Sequence, residues 1–164
     1  MSIEVRQATA EDWPAVRAVR LRALADAPGA FASRLEDERD RPESAWRDRL
    51  AIPSACTFLA YDRRDVVGIV AVFLMPEDRS CAHLVSMWVA PSFRRTGAAT
   101  AMVESVLDWS RRQDAKRVEL WVTEQNEAAS RLYERCGFVV SGERQPLPSD
   151  PSVEEIQMHA FMDP

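Results

Sequence analysis

The stretch HLVSMWVAPSFRRTGAATAMVESVL, residues 83–107, decides how the rest of the chain is read. Residues 83–89 are rich in Val, Leu, Met and Trp, which suits a buried strand. Pro91 ends that strand, because proline has no N–H to donate to a ladder. After the turn, Ala99, Met102, Val103, Val106 and Leu107 recur at helical spacing, with Glu104, Ser105 and Asp108 on the other face. The stretch predicts strand, tight turn, helix. Such a turn has a chemical use. The first N–H groups of a helix have no internal partners, and the helix dipole adds partial positive charge beside them. Arg94 and Arg95 add full charges, while Gly97, Ala98 and Ala99 carry at most a methyl group. The spacing fits a cradle for a phosphate or pyrophosphate, and it also fits an ordinary strand–helix connection with solvated arginines.

The 164 residues are read as a single domain, 1–164, with 46% hydrophobic residues to supply its core. No apolar run reaches membrane-spanning length, so no membrane partner is expected. The opening MSIEVR has no signal-peptide pattern, which points to a cytoplasmic protein. Cys56, Cys81 and Cys136 are scattered and lack C-x-x-C spacing, so neither a disulfide frame nor a zinc knuckle is indicated. The two histidines lie far apart with no clustered ligands, and no metal is expected. A formal charge of −5 argues against general nucleic-acid affinity. There is no nucleophile elbow, Walker loop or G-x-G-x-x-G.

Before the central stretch, Ile3 and Val5 alternate with Glu4 and Arg6 as in a half-buried strand. Thr9 and Asp12 form a capping-box pattern ahead of a helix with Val16, Val19, Ala23 and Leu24 on one face. Residues 26–29 (DAPG) stop it. Residues 36–49 mix acids and arginines, with Trp46 and Leu50 as apolar anchors. The plain reading is a solvated helix laced with i,i+4 pairs; the functional one is a substrate-facing flap carrying Phe31, Glu36 and Glu38. Residues 57–61 and 66–74 read as a hairpin, and 117–123 as a cleanly alternating strand. Asn126 caps a short helix with Ala129, Leu132, Tyr133 and Cys136 on one side, and Gly137 stops it. Residues 138–141 and 153–161 read as strands around a proline-rich loop, 145–152. The order β-α-α-β-β-β-α-β-α-β-β predicts an α/β sheet with helices on both faces.

At this point the chain resembles the GNAT superfamily of N-acetyltransferases. The family's Arg/Gln-x-x-Gly-x-Gly/Ala motif matches Arg94-Arg95-Thr96-Gly97-Ala98-Ala99, with alanine at the last position where glycine is commoner. The distal pattern Asn126-x-x-Ala129-x-x-Leu132-Tyr133-Glu134-x-x-Gly137-Phe138 matches too. The resemblance implies a mixed central β-sheet of about seven strands flanked by about four α-helices. The central strand and the 117–123 strand would splay to form a cleft for acetyl-CoA, the co-substrate. It implies that Arg94, Arg95, Thr96, Gly97, Ala98, Ala99 and Thr100 hold the pyrophosphate. The pantetheine arm would pair with backbone of Met87, Trp88 and Val89, as strand addition by a ligand, with Asn126 and Ala129 on the other side.

Acetyl transfer needs a neutral amine, a donor for the carbonyl oxygen and a hydrogen bond or proton for the leaving thiolate. The resemblance makes Tyr133 the proton donor to sulfur; a core tyrosine packed on Phe138 is the plain alternative. The position of a glutamate in histone-type members falls on His83, which titrates near neutrality. Glu119 is the rival base, and Trp121 stands where other members keep a glutamate. Ser86 is a further relay candidate, the Val89 N–H an oxyanion donor, and many members use only a water chain. His159, on the last strand and facing solvent or the substrate groove, is read as having no part in the chemistry. The expected activity is acetylation of a primary amine of a small molecule, in a groove walled by Phe31, Glu36, Trp121 and the 145–152 loop, whose acids would favour a cationic acceptor. Acetylation of a protein N-terminus or lysine, and a CoA-binding sensor without turnover, are the alternatives. Exposed strand edges near the C-terminus would fit a homodimer.

Overall fold

A computed structural model describes residues 2–28, 31 and 33–163. Its strands are β1 (Ile3–Gln7), β2 (Ala55–Asp62), β3 (Asp65–Met75), β4 (Asp78–Val89), β5 (Arg117–Thr123), β6 (Val139–Leu147) and β7 (Asp150–Phe161). They form one seven-stranded sheet in the order β1-β2-β3-β4-β5-β7-β6. Neighbours run antiparallel except β4 and β5, which are parallel. The helices are α1 (Trp13–Asp26), α2 (Leu35–Arg39), α3 (Glu43–Leu50), α4 (Ala98–Arg112) and α5 (Glu127–Arg135).

Each sheet face has its own core. On one face Met102, Val103 and Val106 of α4, with Tyr133 of α5, pack on Ala82, Leu84, Val118, Leu120 and Met158. On the other, Val16, Val19 and Leu24 of α1 and Trp46 of α3 pack on Leu59, Ile69 and Trp88. Full burial of a side chain such as Met102 contributes about 1.5–3 kcal/mol. Gly68 lets α4 approach: a Cβ there would lie 2.8 Å from Met102 Cε and 3.0 Å from the Trp88 carbonyl oxygen.

The predicted frame holds, with three differences. The acid–arginine stretch makes two helices instead of one, because Pro42 supplies the N-cap of α3 and cannot continue α2. That stretch is not wholly solvated either: Glu38 is buried. The proline-rich segment is not a loop. β6 runs through Gln145 and Pro146 to Leu147, and β7 starts at Asp150. β6 is the sheet edge, where a missing N–H leaves no ladder bond unmade.

Candidate active site

The cleft is made where β4 and β5 part. Their pairing runs from Cys81–Arg117 to Leu84–Leu120 and then stops. β5 stays paired with β7 through Thr123–Glu155, and β4 stays paired with β3 through Gly68–Val89. The facing edges of β4 beyond Leu84 and of β5 beyond Leu120 are thus without a strand partner, a row of backbone donors and acceptors open to an extended ligand.

A bulge in β4 prepares that edge. Ile69 faces Trp88 and Ala71 faces Val85, so β4 carries one residue more than β3 across this interval. Ser86 takes up the irregularity at φ 63°, a conformation that costs a non-glycine residue about 1–2 kcal/mol. Arg20 Nη1 donates to Ser86 Oγ at 2.8 Å and holds it there. The extra residue also reverses the facing of the strand. Ala82 and Leu84 point to the α4 core, and beyond the bulge Met87 and Val89 do so, while Trp88 turns to α1.

At the mouth, Gly97 caps α4 with φ 90°, and a Cβ built on it would meet nothing within 4 Å. The N-terminus of α4 therefore opens onto free space, and its first N–H groups, which have no partner inside the helix, fit a diphosphate. Thr96 Oγ1 donates to the Phe93 carbonyl and accepts weakly from the Ala98 N–H at 3.4 Å, so it braces the turn. Arg94 is not simply solvated. It donates from Nε to the Val89 carbonyl at 3.1 Å and from Nη2 to Asp26 at 2.9 Å. Asp26 also accepts from Trp88 Nε1 at 3.0 Å, which ties the end of α1, the end of β4 and the turn together. Arg95 is exposed and sits at φ 65°.

Across the cleft, Asn126 accepts from the Ala129 N–H at 3.2 Å and so caps α5. Tyr133 is buried and meets Phe138 edge-on at 5.7 Å. Burial pushes the Tyr133 phenol well above its ordinary value, so it stays protonated and able to donate. The plain and the catalytic readings of this residue are compatible, because packing of the ring on Phe138 does not use the hydroxyl.

The base candidates share the α1 face of the sheet. His83 pairs across the ladders with Phe73 and Glu119, its ring 5.5 Å from that of Phe73. Its Nδ1 is buried without a partner, and burial lowers its pKa, so the imidazole is neutral at neutral pH and able to take a proton. Glu119 is committed elsewhere, accepting from Arg117 Nε at 2.9 Å and from Gln157 Nε2 at 3.4 Å. Glu155, a residue the sequence reading passed over, faces Thr123 at the open end of β5. It is buried, its carboxyl is raised by burial, and it accepts from Gln145 Nε2 at 3.0 Å. His159 stacks near Phe161 at 4.7 Å, in keeping with a packing role.

A cavity of about 440 Å³ lies between α1–α3 and the sheet and reaches β4 at Val85 and Ser86. None of the three expected wall residues is in its described lining. Glu36 is exposed, with Arg34 4.0 Å away. Trp121 lies opposite Gln157 on the outer half of the sheet. Phe31 is buried beneath the Arg20 guanidinium at 5.1 Å. The charged lining residues of this cavity are Arg20, Arg41, Arg49 and Glu38, so it is not itself acidic. Arg41 and Arg49 come from the 36–49 stretch that reads as a solvated helix, Arg20 from α1, and no short motif marks them. The turn between β6 and β7 closes over the segment after α1. Ser149 Oγ donates to the Phe31 carbonyl, and Arg34 Nη2 donates to the Ser149 carbonyl at 3.1 Å.

Known proteins share this fold. The Acetyltransferase (GNAT) family model matches residues 16–138. A mycothiol acetyltransferase of Beutenbergia cavernae is 32% identical over 121 residues, which is 74% of this chain and 39% of that protein. The chain spans less than half the length of the curated relatives it matches. Among solved structures, a GCN5-related N-acetyltransferase from Kribbella flavida superposes with a TM-score of 0.78 at 24% identity, covering 98% of both chains. The yncA protein of Salmonella typhimurium, solved with acetyl-CoA, superposes with a TM-score of 0.79 at 18% identity over 100% of this chain and 96% of that one. The matched residues take in the parted strands, the Gly97 turn and both helices that flank the cleft. This chain belongs to the GNAT acetyltransferase family.

Proposed function

We propose that the chain transfers the acetyl group of acetyl-CoA to a primary amine of a small molecule, by direct attack in a ternary complex. The observation that carries this reading is the end of β4–β5 pairing at Leu84–Leu120, beside a helix N-terminus opened by Gly97. Acetyl-CoA supplies an activated thioester. The amide C–N bond forms as the C–S bond breaks, and the amine loses a proton as the thiol is made. On this reading the N–H groups from Gly97 to Thr100, with Arg95 beside them, hold the diphosphate. The β4 edge at Met87, Trp88 and Val89 pairs with the pantetheine amides, and the Val89 N–H serves the developing oxyanion. Asn126 and Ala129 border the opposite side. Arg94 acts mainly by fixing the turn to Asp26 and Val89.

Tyr133 donates a hydrogen bond to the leaving sulfur. A phenol held above its ordinary pKa by burial is a poor source of a fully transferred proton but a constant donor. His83 takes the amine proton, directly or through water, with Glu155 as the second candidate. A small acceptor is favoured over a polypeptide because Phe31, Arg34 and Ser149 clasp the two segments that would otherwise leave a through-groove. The test is thiol release from acetyl-CoA across a panel of small amines and peptides. Amine-dependent release with small amines preferred is the expected result. Release only with peptides would reassign the acceptor, and CoA binding with no release on any amine would make the chain a sensor.

A further inference from the structure

Resting on the acetyl-transfer reading, we propose that the acceptor is an α-amino acid with an apolar side chain, recognised through its carboxylate by the arginine cluster of the cavity beneath α1–α3. At about 440 Å³ the cavity lies within the roughly 300–1,000 Å³ of small-molecule sites. One part of its wall is apolar, from Trp46, Ile69, Phe73, Leu74 and Val85. The charged part consists of three guanidiniums and one carboxylate, an excess of two positive charges in a chain whose formal charge is −5.

The single carboxylate is fully used. Glu38 Oε2 accepts from Arg49 Nη2 at 3.2 Å and forms an ion pair with Arg41 Nε at 2.7 Å, and Oε1 accepts from Arg20 Nη2 at 3.4 Å. A guanidinium has five N–H donors, so Arg41 and Arg49 keep most of theirs. Their side chains are 43% and 37% exposed, whereas that of Glu38 is 2% exposed. Glu38 thus acts as a hub that orients guanidiniums toward the cavity instead of cancelling them. A surplus of donors and positive charge matches a carboxylate, which a guanidinium binds bidentately. A polyamine would meet repulsion. The layout also sets the spacing between carboxylate and amine. Arg20 touches both Glu38 and Ser86, so the cluster and the β4 bulge are one side chain apart. An α-amino acid, with amine and carboxylate on the same carbon, has that short separation.

The experiment measures thiol release with matched trios built on leucine, methionine and phenylalanine: the amino acid, its amide and the decarboxylated amine. The expected result is a kcat/KM at least about tenfold higher for the acid, the effect of one charge-assisted pairing. Arg41→Gln should bring the acid-to-amide ratio close to one, mainly through KM. Arg79→Gln, at an exposed arginine outside the cavity, should keep the ratio. That ratio is insensitive to general damage, which lowers both rates together. Equal or faster rates with amides and amines would overturn the inference and leave acetyl transfer standing. No release with any member of any trio or with the wider amine panel would remove the transfer reading, and the inference with it.

Discussion

The two sides of β4 are built on different principles. On the α4 side the candidate donor site is backbone: helix N–H groups behind Gly97 and the unpaired edge of β4 beyond Leu84. On the α1 side the candidate acceptor site is side chains: Arg20 of α1, Glu38 of α2, Arg41 of the α2–α3 connection and Arg49 of α3, joined to Ser86 of the strand. Backbone recognition needs few particular residues, and it suits a ligand whose form is constant. A side-chain cluster can be retuned residue by residue, and it suits the ligand that distinguishes one enzyme from another. The bulge at Ser86 joins the two systems.

The largest effect should come from the side-chain half. Glu38→Gln leaves the buried Arg20 guanidinium without its counter-ion, and breaking a buried pair costs about 3–5 kcal/mol. Arg41 and Arg49 are more than a third exposed and should add little to that loss. Burial acts to raise the Glu38 carboxyl, but Arg49, Arg20 and Arg41 together outweigh it and hold the carboxyl below its ordinary 4.5. Its stabilising contribution is therefore complete above that pH and fades as the pH falls through the lowered folded value. Thermal unfolding from neutral pH downward should show this acid loss in the parent and a smaller one in E38Q. Equal stability of the two proteins at neutral pH would mean that the cluster does not hold the helices.

This contrast also explains what the sequence disclosed. Pro91, Gly97 and the α4 periodicity lie within one short stretch, so the strand, turn and helix were legible, as was α5 between Asn126 and Gly137. The GNAT resemblance rested on the same local signals. The acceptor cluster was not legible, because Glu38 is buried only by partners brought in from α1 and α3. The positive φ of Ser86 leaves no mark in the residue type. The length of β6 and β7 was hidden by prolines that an edge strand tolerates.

The next effect belongs to the chemistry between the halves. Tyr133→Phe should lower kcat about 10²-fold while the Kd for acetyl-CoA moves by no more than about twofold. An unchanged kcat would return Tyr133 to a packing role beside Phe138. On the backbone half, Gly97→Ala should cost roughly 1–2 kcal/mol of stability, since the added methyl meets no atom and the penalty is conformational alone. The same change should weaken acetyl-CoA binding more than it raises the KM of the acceptor, which isothermal titration and steady-state kinetics would separate. The smallest change is in the shape of the pH profile. Burial lowers the His83 pKa below its ordinary 6.5, so the parent rate should fall as the pH drops through a value under 6.5. His83→Ala should lack that limb. A limb left in place would move the base to Glu155, whose carboxyl burial raises.

A crystal structure of the chain with acetyl-CoA tests the donor site most directly. The account predicts the diphosphate on the N–H groups from Gly97 to Thr100 and the pantetheine amides paired with the β4 edge at Met87–Val89. A diphosphate bound elsewhere, or a β4 edge still bare at saturating acetyl-CoA, would contradict it.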